Sequence, residues 1–422
     1  MSLKTKLEKI PGYNSLVKPL HWAQAMQAAV KYDFPAKKLR VIAVTGTNGK
    51  TTTCFMIWKM LNHAGRKAGL LTTVGWSADG QTVNPQVEHM TTERVSVLNE
   101  RIRAVADAKA EFLVLEVTSH ALSQFRVLGV PIEVAVFTNL TPEHLDYHKT
   151  FVNYRKAKQK LFKKARFGVV NADDPNAEYF VKEYASSDVK TYGVEGGDFR
   201  ATDVKLLASG VQYLCGDIKV KTQIPGEFNI YNSLAAVAVG KRLGLTDKQI
   251  EDGVHSLTAV EGRMTRVRAG QDFEVIVDYA HQPDALEKVF ASVGHGTGFT
   301  GKIIAVHGGA GRRDHATREP RGEILGRESD IVIITEDDSR DEKPAEIAEM
   351  FVRGAEKAGK VKGKDLLVEL DRQKAIAKAL SLAKKDDLVL ILGKGHEKTI
   401  LRADGPYDFE DIKVAEEILR GK

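Results

Sequence analysis

The sequence predicts an α/β protein built on doubly wound sheets. From residue 39 onward, short runs rich in Val, Ile and Leu alternate with longer amphipathic stretches, and Gly, Asn, Asp or Thr flank the short runs. Such runs are typical of strands buried on both faces of a parallel sheet, and the βαβα order predicts helices that cover those faces. The first strands are LRVIAVTG, EFLVLEV, VAVFTNL and FGVVNAD, and the first helices are CFMIWKMLNHAG, RVSVLNERIRAVADAKA and TFVNYRKAKQKLF.

The later part of the chain predicts a change of architecture and then a second domain. Between about 190 and 225, the short alternating runs KTYGV, FRATDVKLL and VQYLCGDIKVKTQI predict a small antiparallel addition to the central sheet. NSLAAVAVGKRLG and TDKQIEDGVHSL predict two helices, the second capped by Thr246. After EGRMTRV, the strands FEVIVDYA, KIIAVHGGA, DIVIITEDD, DLLVELD and DDLVLILGKG predict a C-terminal Rossmann-like α/β domain. We therefore expect a short N-terminal helical appendage over 1–38, a central domain over 39–259 and a C-terminal domain over 260–422.

Composition narrows the classes of protein that fit. The 422 residues carry a formal net charge of +6, spread along the chain, which favours small anionic ligands over nucleic acid. A hydrophobic content of 43% excludes disorder over most of the length. The two cysteines, Cys54 and Cys215, cannot form a disulfide framework or a four-ligand zinc site. Since we find neither a signal peptide nor an apolar run of the roughly 20 residues that span a bilayer, we expect a cytoplasmic protein without membrane insertion.

The sharpest local motif is VIAVTGTNGKTTT at 41–53, in which a strand runs into a Gly-rich loop and a helix follows. Glycines let backbone N–H groups surround phosphate oxygens, and the helix N-terminus adds partial positive charge. Lys50 can reach terminal phosphates, and the Thr51 hydroxyl can bind Mg²⁺. The loop is two residues shorter than GxxxxGK[ST], but its context predicts an ATP site on a central P-loop-type sheet.

Polar residues follow the next two predicted strands. Glu116 ends the strand in LEVTSHAL, where a carboxylate suits a direct or indirect Mg²⁺ ligand. The loop FTNLTPEHLDYH brings Asn139, His144, Asp146 and His148 to the carboxyl ends of the strands, where open α/β sheets bind ligands. The sequence therefore predicts a metal–nucleotide site along this edge.

Two further groups of charged residues are candidates. In the helix YRKAKQKLF we expect Arg155, Lys156 and Lys160 to form a solvated face, while composition does not distinguish Lys158. In the second domain, three loops that follow strands can converge on one cleft. Arginine forks suit carboxylates and an acid suits an ammonium group, so we expect a zwitterionic ligand there. These loops carry Arg313, Arg318, Arg340, Lys394, His396 and Glu397.

The order of the motifs resembles that of the Mur ligases, the ATP-dependent amide ligases of cell-wall precursor synthesis. The resemblance runs from about 39 to 420 and is most similar to the branch that adds the third residue to UDP-N-acetylmuramoyl-L-alanyl-D-glutamate. VDYAHQPDAL, EVTSHALSQFR and GKGHE favour that branch. The motifs are TGTNGKTTT, LEVTSHALSQFR, TNLTPEHLDYH, YRKAKQKLF, GEFNIYNSLAA, EGRMTRV, VDYAHQPDAL, the Arg loop GAGRRDHATREP and GKGHE.

The resemblance implies roles for the matching residues, with ATP and Mg²⁺ as cofactors. The catalytic residues are Lys50, Glu116, His144, Lys158 and Arg263. The nucleotide contacts are Gly46, Thr47, Asn48, Gly49, Lys50, Thr51, Thr52, Asn229, Asn232, Arg263, Asp278 and His281. The muramoyl-dipeptide contacts are Thr91, Thr92, Ser119, Gln124 and Arg126, and the incoming amino acid meets Arg318, Asp338, Arg340, Gly393 and Glu397. The metal ligands are Thr51, Glu116, His144 and Lys158, the last as an N6-carboxylated (carbamylated) lysine.

The implied function is ATP-dependent addition of a diamino acid, with meso-2,6-diaminopimelate favoured over L-lysine, in peptidoglycan precursor synthesis and hence in cell shape and division. Two features depart from the family. Only about 38 residues precede the first strand, where the family has a domain that grips the uridine nucleotide, so the UDP end is expected to be held differently, weakly or by a partner. The motif Asp-Asn-Pro-Arg of the diaminopimelate-adding enzymes is replaced by Asp337-Asp338-Ser339-Arg340.

Three alternatives stay open from the sequence. The chain could add L-lysine, because Asp338 brings an extra acid to the predicted pocket. It could be a related ligase of the folylpolyglutamate, cyanophycin or pseudomurein class. It could also be a non-catalytic ATP-binding partner subunit, against which the intact Lys50, Glu116, His144 and Lys158 speak.

Overall fold

The computed structural model describes residues 16–86, 90–182, 188–207, 209–297, 299–313 and 315–421. The chain divides into two compact units. The first unit comprises Met1–Val204, Tyr213–Lys221 and Ile230–Ser256, and the second unit comprises Lys205–Gln212, Thr222–Asn229 and Leu257–Lys422. Each unit is built around its own parallel-rich sheet.

The strands follow the short apolar runs closely. In chain order they are β1 Arg40–Thr45, β2 Ala68–Leu71, β3 Gly75–Ser77, β4 Asn84–Pro85, β5 Phe112–Glu116, β6 Ile132–Phe137, β7 Ala165–Asn171, β8 Val189–Gly193, β9 Phe199–Arg200, β10 Thr202–Leu207, β11 Gly210–Cys215, β12 Ile218–Lys221, β13 Thr265–Arg266, β14 Glu274–Asp278, β15 Ile303–Gly309, β16 Ile331–Glu336, β17 Leu366–Val368, β18 Leu388–Leu392, β19 Thr399–Arg402 and β20 Gly405–Asp408.

The helices lie between them. In chain order they are α1 Lys18–Lys31, α2 Lys50–His63, α3 Val95–Asp107, α4 Ser119–Ser123, α5 Leu145–His148, α6 Phe151–Phe162, α7 Ala177–Lys182, α8 Phe228–Arg242, α9 Asp247–His255, α10 Pro283–Val293, α11 His315–Glu328, α12 Pro344–Lys357, α13 Arg372–Leu382 and α14 Asp411–Leu419. Thr246 caps α9 as predicted, in a capping box with Gln249.

The first unit contains a nine-stranded sheet in the order β4-β3-β2-β5-β1-β6-β7-β8-β9. Seven neighbouring strands of this order, β2-β5-β1-β6-β7-β8-β9, pair in parallel. The remaining two, β3 and β4, pair antiparallel and form one edge of the sheet. β1 lies between β5 and β6, so the loops that follow these three strands leave the same edge of the sheet. Helices on both faces make the middle strands fully buried, which explains why β1 reads as a continuous apolar run.

The first part of the predicted antiparallel addition is wrong. KTYGV does not belong to an antiparallel addition, because it forms β8 and pairs in parallel with β7. The buried Tyr192 anchors it there, since its hydroxyl donates to the carbonyl of Phe137 at 3.0 Å. Phe199–Arg200, at the start of FRATDVKLL, forms β9 and pairs in parallel with β8 in the central sheet. The predicted addition itself exists as a separate three-stranded sheet, β10-β11-β12.

The second unit contains a six-stranded sheet in the order β13-β14-β18-β15-β16-β17. All its pairings are parallel except β13 with β14. Strands β14, β15, β16 and β18 therefore end along one edge, where the predicted amino-acid loops begin. A short hairpin, β19–β20, follows the last of these loops.

The N-terminal appendage consists of α1 and a 3₁₀ turn over Pro35–Lys38, and its residues 1–15 lie outside the described residues. None of the helices in the described ranges combines the length and the apolar character that crossing a membrane requires.

Candidate nucleotide and amino-acid sites

The loop between β1 and α2 is a tight turn that only glycine tolerates at its end. Gly49 has a φ of +79°, and a Cβ there would lie 2.3 Å from Oδ1 of Asn232. Helix α2 starts at the next residue, so the backbone N–H groups of its first turn face the space beside the loop. This arrangement offers N–H donors and partial positive charge to a phosphate group.

Asn139 holds this loop in place from the neighbouring strand. Its backbone carbonyl accepts from Thr47 N–H at 2.8 Å, and its side chain exchanges two hydrogen bonds with the backbone of Asn48, at 2.9 and 3.0 Å. Lys50 folds back so that its Nζ donates to the carbonyl of Thr47 at 2.6 Å. Lys50 thus lies at the mouth of the turn, where a terminal phosphate would compete for its ammonium group.

Glu116 collects oxygen atoms around the loop. Its Oε2 accepts from the Thr51 hydroxyl and from both the N–H and the hydroxyl of Thr73, each at 3.0 Å. A hydroxyl and a carboxylate oxygen in contact are the hard donors that Mg²⁺ prefers, so these residues fit the ion. Sequence reasoning missed Thr73, although the Thr pair in LLTTVGW directly after β2 is where a partner for Glu116 could have been sought.

Lys158 is the cation of helix α6 that the sequence did not distinguish, and it is only 2% exposed. Its Nζ donates to the carbonyl of Gly46 at 2.5 Å and lies 4.6 Å from the ring centroid of Tyr154. Burial, and then the charge of Lys50, move the pKa of Lys158 well below its ordinary value, while Glu143 and Glu116 oppose the shift. The surroundings of Lys158 therefore favour the neutral form of its amine next to the phosphate loop.

His144 lies in a cluster of aromatic and acidic side chains. Its ring centroid is 4.7 Å from that of His120, and its Nε2 is 3.6 Å from Oε1 of Glu143. Glu143 also accepts from the Tyr154 hydroxyl at 3.3 Å, and Tyr154 contacts the Thr47 hydroxyl at 3.1 Å. This chain of contacts connects the predicted metal ligand His144 with the phosphate loop, and sequence reasoning missed Glu143 and Tyr154 within it.

His120 stays neutral at physiological pH. Burial, followed by the charge of His144, lowers the pKa of His120 to about 2. The other two candidates of this segment differ, because His148 is buried whereas Asp146 is exposed. His148 Nε2 lies 2.9 Å from the Ser119 hydroxyl, so these two residues form a hydrogen-bonded pair.

Three of the residues predicted to hold the muramoyl-dipeptide, Thr92, Gln124 and Arg126, are connected by hydrogen bonds. Thr92 donates to the carbonyl of Glu116 at 3.0 Å, and Arg126 donates to the carbonyl of Thr92. Arg126 also forks onto Oε1 of Gln124, at 2.6 and 3.0 Å. Thr91 lies at the start of this segment and is half-buried.

The predicted nucleotide contacts are distributed over several elements. On α8, Oδ1 of Asn232 accepts from Thr53 at 3.2 Å, and Asn229 donates to the carbonyl of Pro225 at 2.7 Å. In the second unit, the guanidinium of Arg263 lies 4.6 Å from the Tyr279 ring centroid. The other two predicted contacts of that unit are Asp278, which accepts from the N–H groups of Met264 and Ala280 at 2.7 Å, and His281, which contacts the Tyr279 carbonyl at 2.8 Å.

The predicted amino-acid residues surround the ends of β15, β16 and β18. Arg318 is 1% exposed and pairs with Glu342 at 2.9 Å. Arg340 has a left-handed backbone with a φ of +53°, and its Nη1 donates to the carbonyl of Gly311 at 2.6 Å. Gly393 adopts a φ of +107°, and a Cβ there would lie 3.3 Å from the carboxylate of Asp337.

Lys394 is the centre of this second site. Its Nζ contacts Asp337, Asp338 and Glu397 at 3.3, 3.0 and 2.8 Å, and its side chain is fully buried. Burial alone would lower the pKa of Lys394, but the three carboxylates outweigh it and raise the pKa above its ordinary value. The three acids have oxygens within 4.8 Å of one another, as a metal site would, but the Lys394 ammonium group already contacts all three.

Fold and site define a two-unit α/β protein with a phosphate-binding loop in one unit and a buried charge cluster in the other. Residues 44–240 match the Mur ligase middle domain, and residues 262–395 match the Mur ligase glutamate ligase domain. The chain belongs to the Mur ligase family, whose members are ATP-dependent ligases.

Individual relatives agree with this assignment. The chain is 38% identical over 405 residues to the UDP-N-acetylmuramoyl-L-alanyl-D-glutamate–2,6-diaminopimelate ligase 1 of Clostridium acetobutylicum, which covers 94% of this chain and 82% of that protein. It is also 38% identical over 418 residues to the UDP-N-acetylmuramyl-tripeptide synthetase of Roseiflexus sp. That alignment covers 94% of this chain and 82% of the synthetase.

Solved structures share the fold. A UDP-N-acetylmuramoyl-L-alanyl-D-glutamate–2,6-diaminopimelate ligase matches with a TM-score of 0.61 at 29% identity, over 91% of this chain and 78% of that one. The folylpolyglutamate synthase of Mycobacterium tuberculosis matches with a TM-score of 0.74 over 95% of both chains, but its 17% identity shows the fold alone.

Proposed function

We propose that this chain joins meso-2,6-diaminopimelate to UDP-N-acetylmuramoyl-L-alanyl-D-glutamate at the expense of ATP, in the synthesis of the peptidoglycan precursor in the cytoplasm. The observation that carries the proposal is the phosphate loop with Lys50, Glu116 and the buried Lys158 around it. The relatives of known name support the choice of substrates, since the Clostridium acetobutylicum enzyme is named for this reaction.

The chemistry follows from the charges of the reactants. The terminal carboxylate of the dipeptide does not react with an amine, because oxide would have to leave. Transfer of the terminal phosphoryl group of ATP to a carboxylate oxygen gives an acyl phosphate and ADP. The amine of the amino acid then attacks the acyl carbon, a tetrahedral intermediate forms, and phosphate and a proton leave. Phosphoryl transfer depends on positioning and charge neutralisation, which is the role we assign to Lys50 and Arg263.

Mg²⁺ bound by Thr51, Glu116, His144 and a carbamylated Lys158 would neutralise charge on the phosphates. Carbamylation requires a neutral amine, which attacks CO₂ to form a carbamate and release a proton. The lowered pKa of Lys158 favours that amine. In the free-amine form, the hydrogen bond from Nζ to Gly46 keeps the side chain directed at the loop.

We propose Thr91, Thr92, Ser119, Gln124 and Arg126 as contacts of the muramoyl-dipeptide. We propose that the UDP end is held by residues other than these five.

For the amino acid, we propose that Arg340 receives the far carboxylate of diaminopimelate and Glu397 an ammonium group. The extra acid Asp338 raised L-lysine as an alternative. In the structure Oδ1 of Asp338 accepts from Lys394 at 3.0 Å, and Oδ2 lies 3.5 Å from Arg340. Because these two cations already offset the charge of Asp338, its presence does not by itself favour lysine.

The test is ATP-dependent product formation on UDP-muramoyl-dipeptide with a panel of meso-diaminopimelate, L-lysine and L-ornithine, analysed by mass. We expect product with diaminopimelate first. As a matched pair on one helix, Lys50→Ala should abolish turnover and Lys59→Ala should not. If the protein prefers lysine to diaminopimelate at equal concentrations, the substrate assignment is wrong. If it consumes no ATP, or consumes ATP without the UDP-muramoyl-dipeptide, the proposed ligase activity is wrong.

A further inference from the structure

The loop that carries Arg340 is held by the hairpin β19–β20, an element that neither the motifs nor the proposed mechanism uses. The N–H of Arg340 donates to the carbonyl of Leu401 at 2.8 Å. The N–H of Leu401 in turn donates to Oδ1 of Asp338 at 3.0 Å. The hairpin therefore bonds both to the backbone of Arg340 and to the side chain two residues earlier.

A charge pair reinforces this attachment. Arg402 forks onto the carboxylate of Glu336, with Nε 3.1 Å from Oε2 and Nη2 on Oε1. The Glu336 side chain is only 6% exposed, whereas that of Arg402 is 42% exposed. Arg402 also lies over the ring of Tyr407, 4.6 Å from its centroid, on the second strand of the hairpin. The pair thus fixes β19 to the last residue of β16, directly before the loop.

The opposite side of the same loop is fixed by the segment after β15. Gly311 N–H donates to the carbonyl of Asp338 at 2.8 Å, and Nη1 of Arg340 donates to the carbonyl of Gly311 at 2.6 Å. Arg340 itself has a left-handed backbone, a conformation that residues other than glycine rarely adopt. Such a conformation persists only where its surroundings impose it, and here Leu401 and Gly311 impose it from two sides.

The hairpin also borders open space next to Arg340. A cavity of about 540 Å³ is lined by Ser339, Arg340 and Pro344 on the loop side and by Arg402, Ala403 and Asp404 at the hairpin tip. Among the residues predicted to contact the incoming amino acid, Arg340 lines this cavity. The lining carries both signs of charge, so the space suits the far end of an amino acid that bears a carboxylate and an ammonium group together. The cations are Arg340, Lys343 and Arg402, and the acids are Glu336, Asp341, Glu342, Asp371 and Asp404.

We propose that the hairpin β19–β20 is a specificity element for the amino-acid substrate. Arg402 is a positioning residue that acts through Glu336 and the loop 337–340 to keep Arg340 at the edge of the cavity, where Arg340 selects a substrate with a second carboxylate. This inference rests on the proposed function for the identity of the substrate, but not for the coupling between hairpin and loop.

The kinetic test compares Arg402→Ala with Arg402→Lys, Glu336→Gln and the control Arg420→Ala, which removes an exposed arginine paired with Glu416 at 3.3 Å in the same unit. In Arg402→Ala we expect the KM for meso-diaminopimelate to rise about tenfold, equivalent to about 1.4 kcal/mol, with the KM values for ATP and the UDP-dipeptide unchanged. Glu336→Gln should also raise the KM for meso-diaminopimelate, and combining it with Arg402→Ala should raise that KM little further. In Arg402→Lys the rise should be smaller than in Arg402→Ala. An equal rise in all three KM values, or a fall in kcat alone, would overturn the proposal.

Hydrogen exchange gives a readout that does not depend on activity. We expect Arg402→Ala to lose amide protection in 336–342 while 303–309 and 388–392 keep theirs, and Arg420→Ala to match the wild type. Unchanged protection in 336–342 would overturn the coupling even in an active enzyme. If the wild type ligates none of the amino acids, the proposed function fails, and the exchange result still decides the coupling. Should Arg402→Ala not fold, the same comparison is made with Arg402→Lys, for which partial loss of protection in 336–342 is expected.

Discussion

Two buried lysines define the two halves of this protein. Lys158, beside the phosphate loop, is 2% exposed and donates to a peptide carbonyl, whereas Lys394, at the end of β18, is fully buried among three carboxylates. Their pKa values move in opposite directions: that of Lys158 falls well below the ordinary value and that of Lys394 rises. At similar burial, the surroundings thus favour the neutral amine in one lysine and the charged ammonium group in the other.

The difference lies in what surrounds each nitrogen. Burial penalises the charged form of both lysines, and only nearby carboxylates can reverse that penalty. Asp337, Asp338 and Glu397 do so for Lys394, which becomes a structural ion that ties two loops together. Lys158 has Lys50 as a close neighbour, and its lowered pKa favours the neutral amine, whose lone pair is available for covalent chemistry. Burial alone therefore does not tell a reactive lysine from a structural one.

The largest expected effect is on catalysis at the first lysine. Lys158→Ala should lower kcat by about 10²–10³, the range for removing one group that stabilises transition-state charge, while the fold stays intact. Short-chain carboxylates should restore part of the activity, because they replace the carbamate. Lys160→Ala, half-buried on the same helix, is the control and should keep its activity. Wild-type turnover in Lys158→Ala would show that this lysine is not catalytic.

The next effect is on stability at the second lysine. Lys394→Met should lower the free energy of unfolding by about 3–5 kcal/mol, because it leaves buried carboxylates without their cation. Lys158→Met should cost much less, since the folded state holds that amine uncharged already. Chemical denaturation of both variants beside the wild type measures the difference. Equal losses in the two variants would contradict the contrast between these sites.

A pH titration sharpens the comparison further. Because the pKa of Lys158 is lowered in the folded state, the unfolded chain binds more protons between that pKa and about 10.5, and stability rises with pH in this window. The slope from one such group is at most about 1.4 kcal/mol per pH unit. Denaturation of the wild type between pH 7 and 9 without bicarbonate should show a steeper rise than Lys158→Met does. Parallel curves would mean that Lys158 is charged in the folded protein.

The smallest effect concerns metal binding at the acid cluster. Removing the ammonium group in Lys394→Ala leaves oxygens of Asp337, Asp338 and Glu397 within 4.8 Å of one another. We expect Ca²⁺ to stabilise this variant by about 1.4 kcal/mol at a concentration tenfold above its Kd, and to leave the wild type unchanged. Adding Glu397→Gln should weaken the gain in melting temperature. A gain of the same size in the wild type would place the ion elsewhere.

Much of this protein follows from local sequence. The parallel strands were predictable because helices cover both faces of each sheet and require continuous apolar runs such as LRVIAVTG. The phosphate loop was predictable because Gly49 must adopt a positive φ directly before a helix, and few other motifs require this. KTYGV was misassigned because a half-polar strand next to the edge of a sheet looks the same in sequence whether its neighbour runs parallel or antiparallel.

What the sequence determined by itself is the order of the strands and helices, the nucleotide loop and the family. Only the tertiary structure decided the state of the charged groups. Thr73 joins Glu116 across a strand pair, and Glu143 and Tyr154 join His144 to the loop. Arg402 meets Glu336 from 66 residues away. A pKa depends on burial and on charges within a few ångströms, and these come from parts of the chain far apart in sequence. Lys158 in YRKAKQKLF and Lys394 in GKGHE therefore become different kinds of residue only when the sheets have formed.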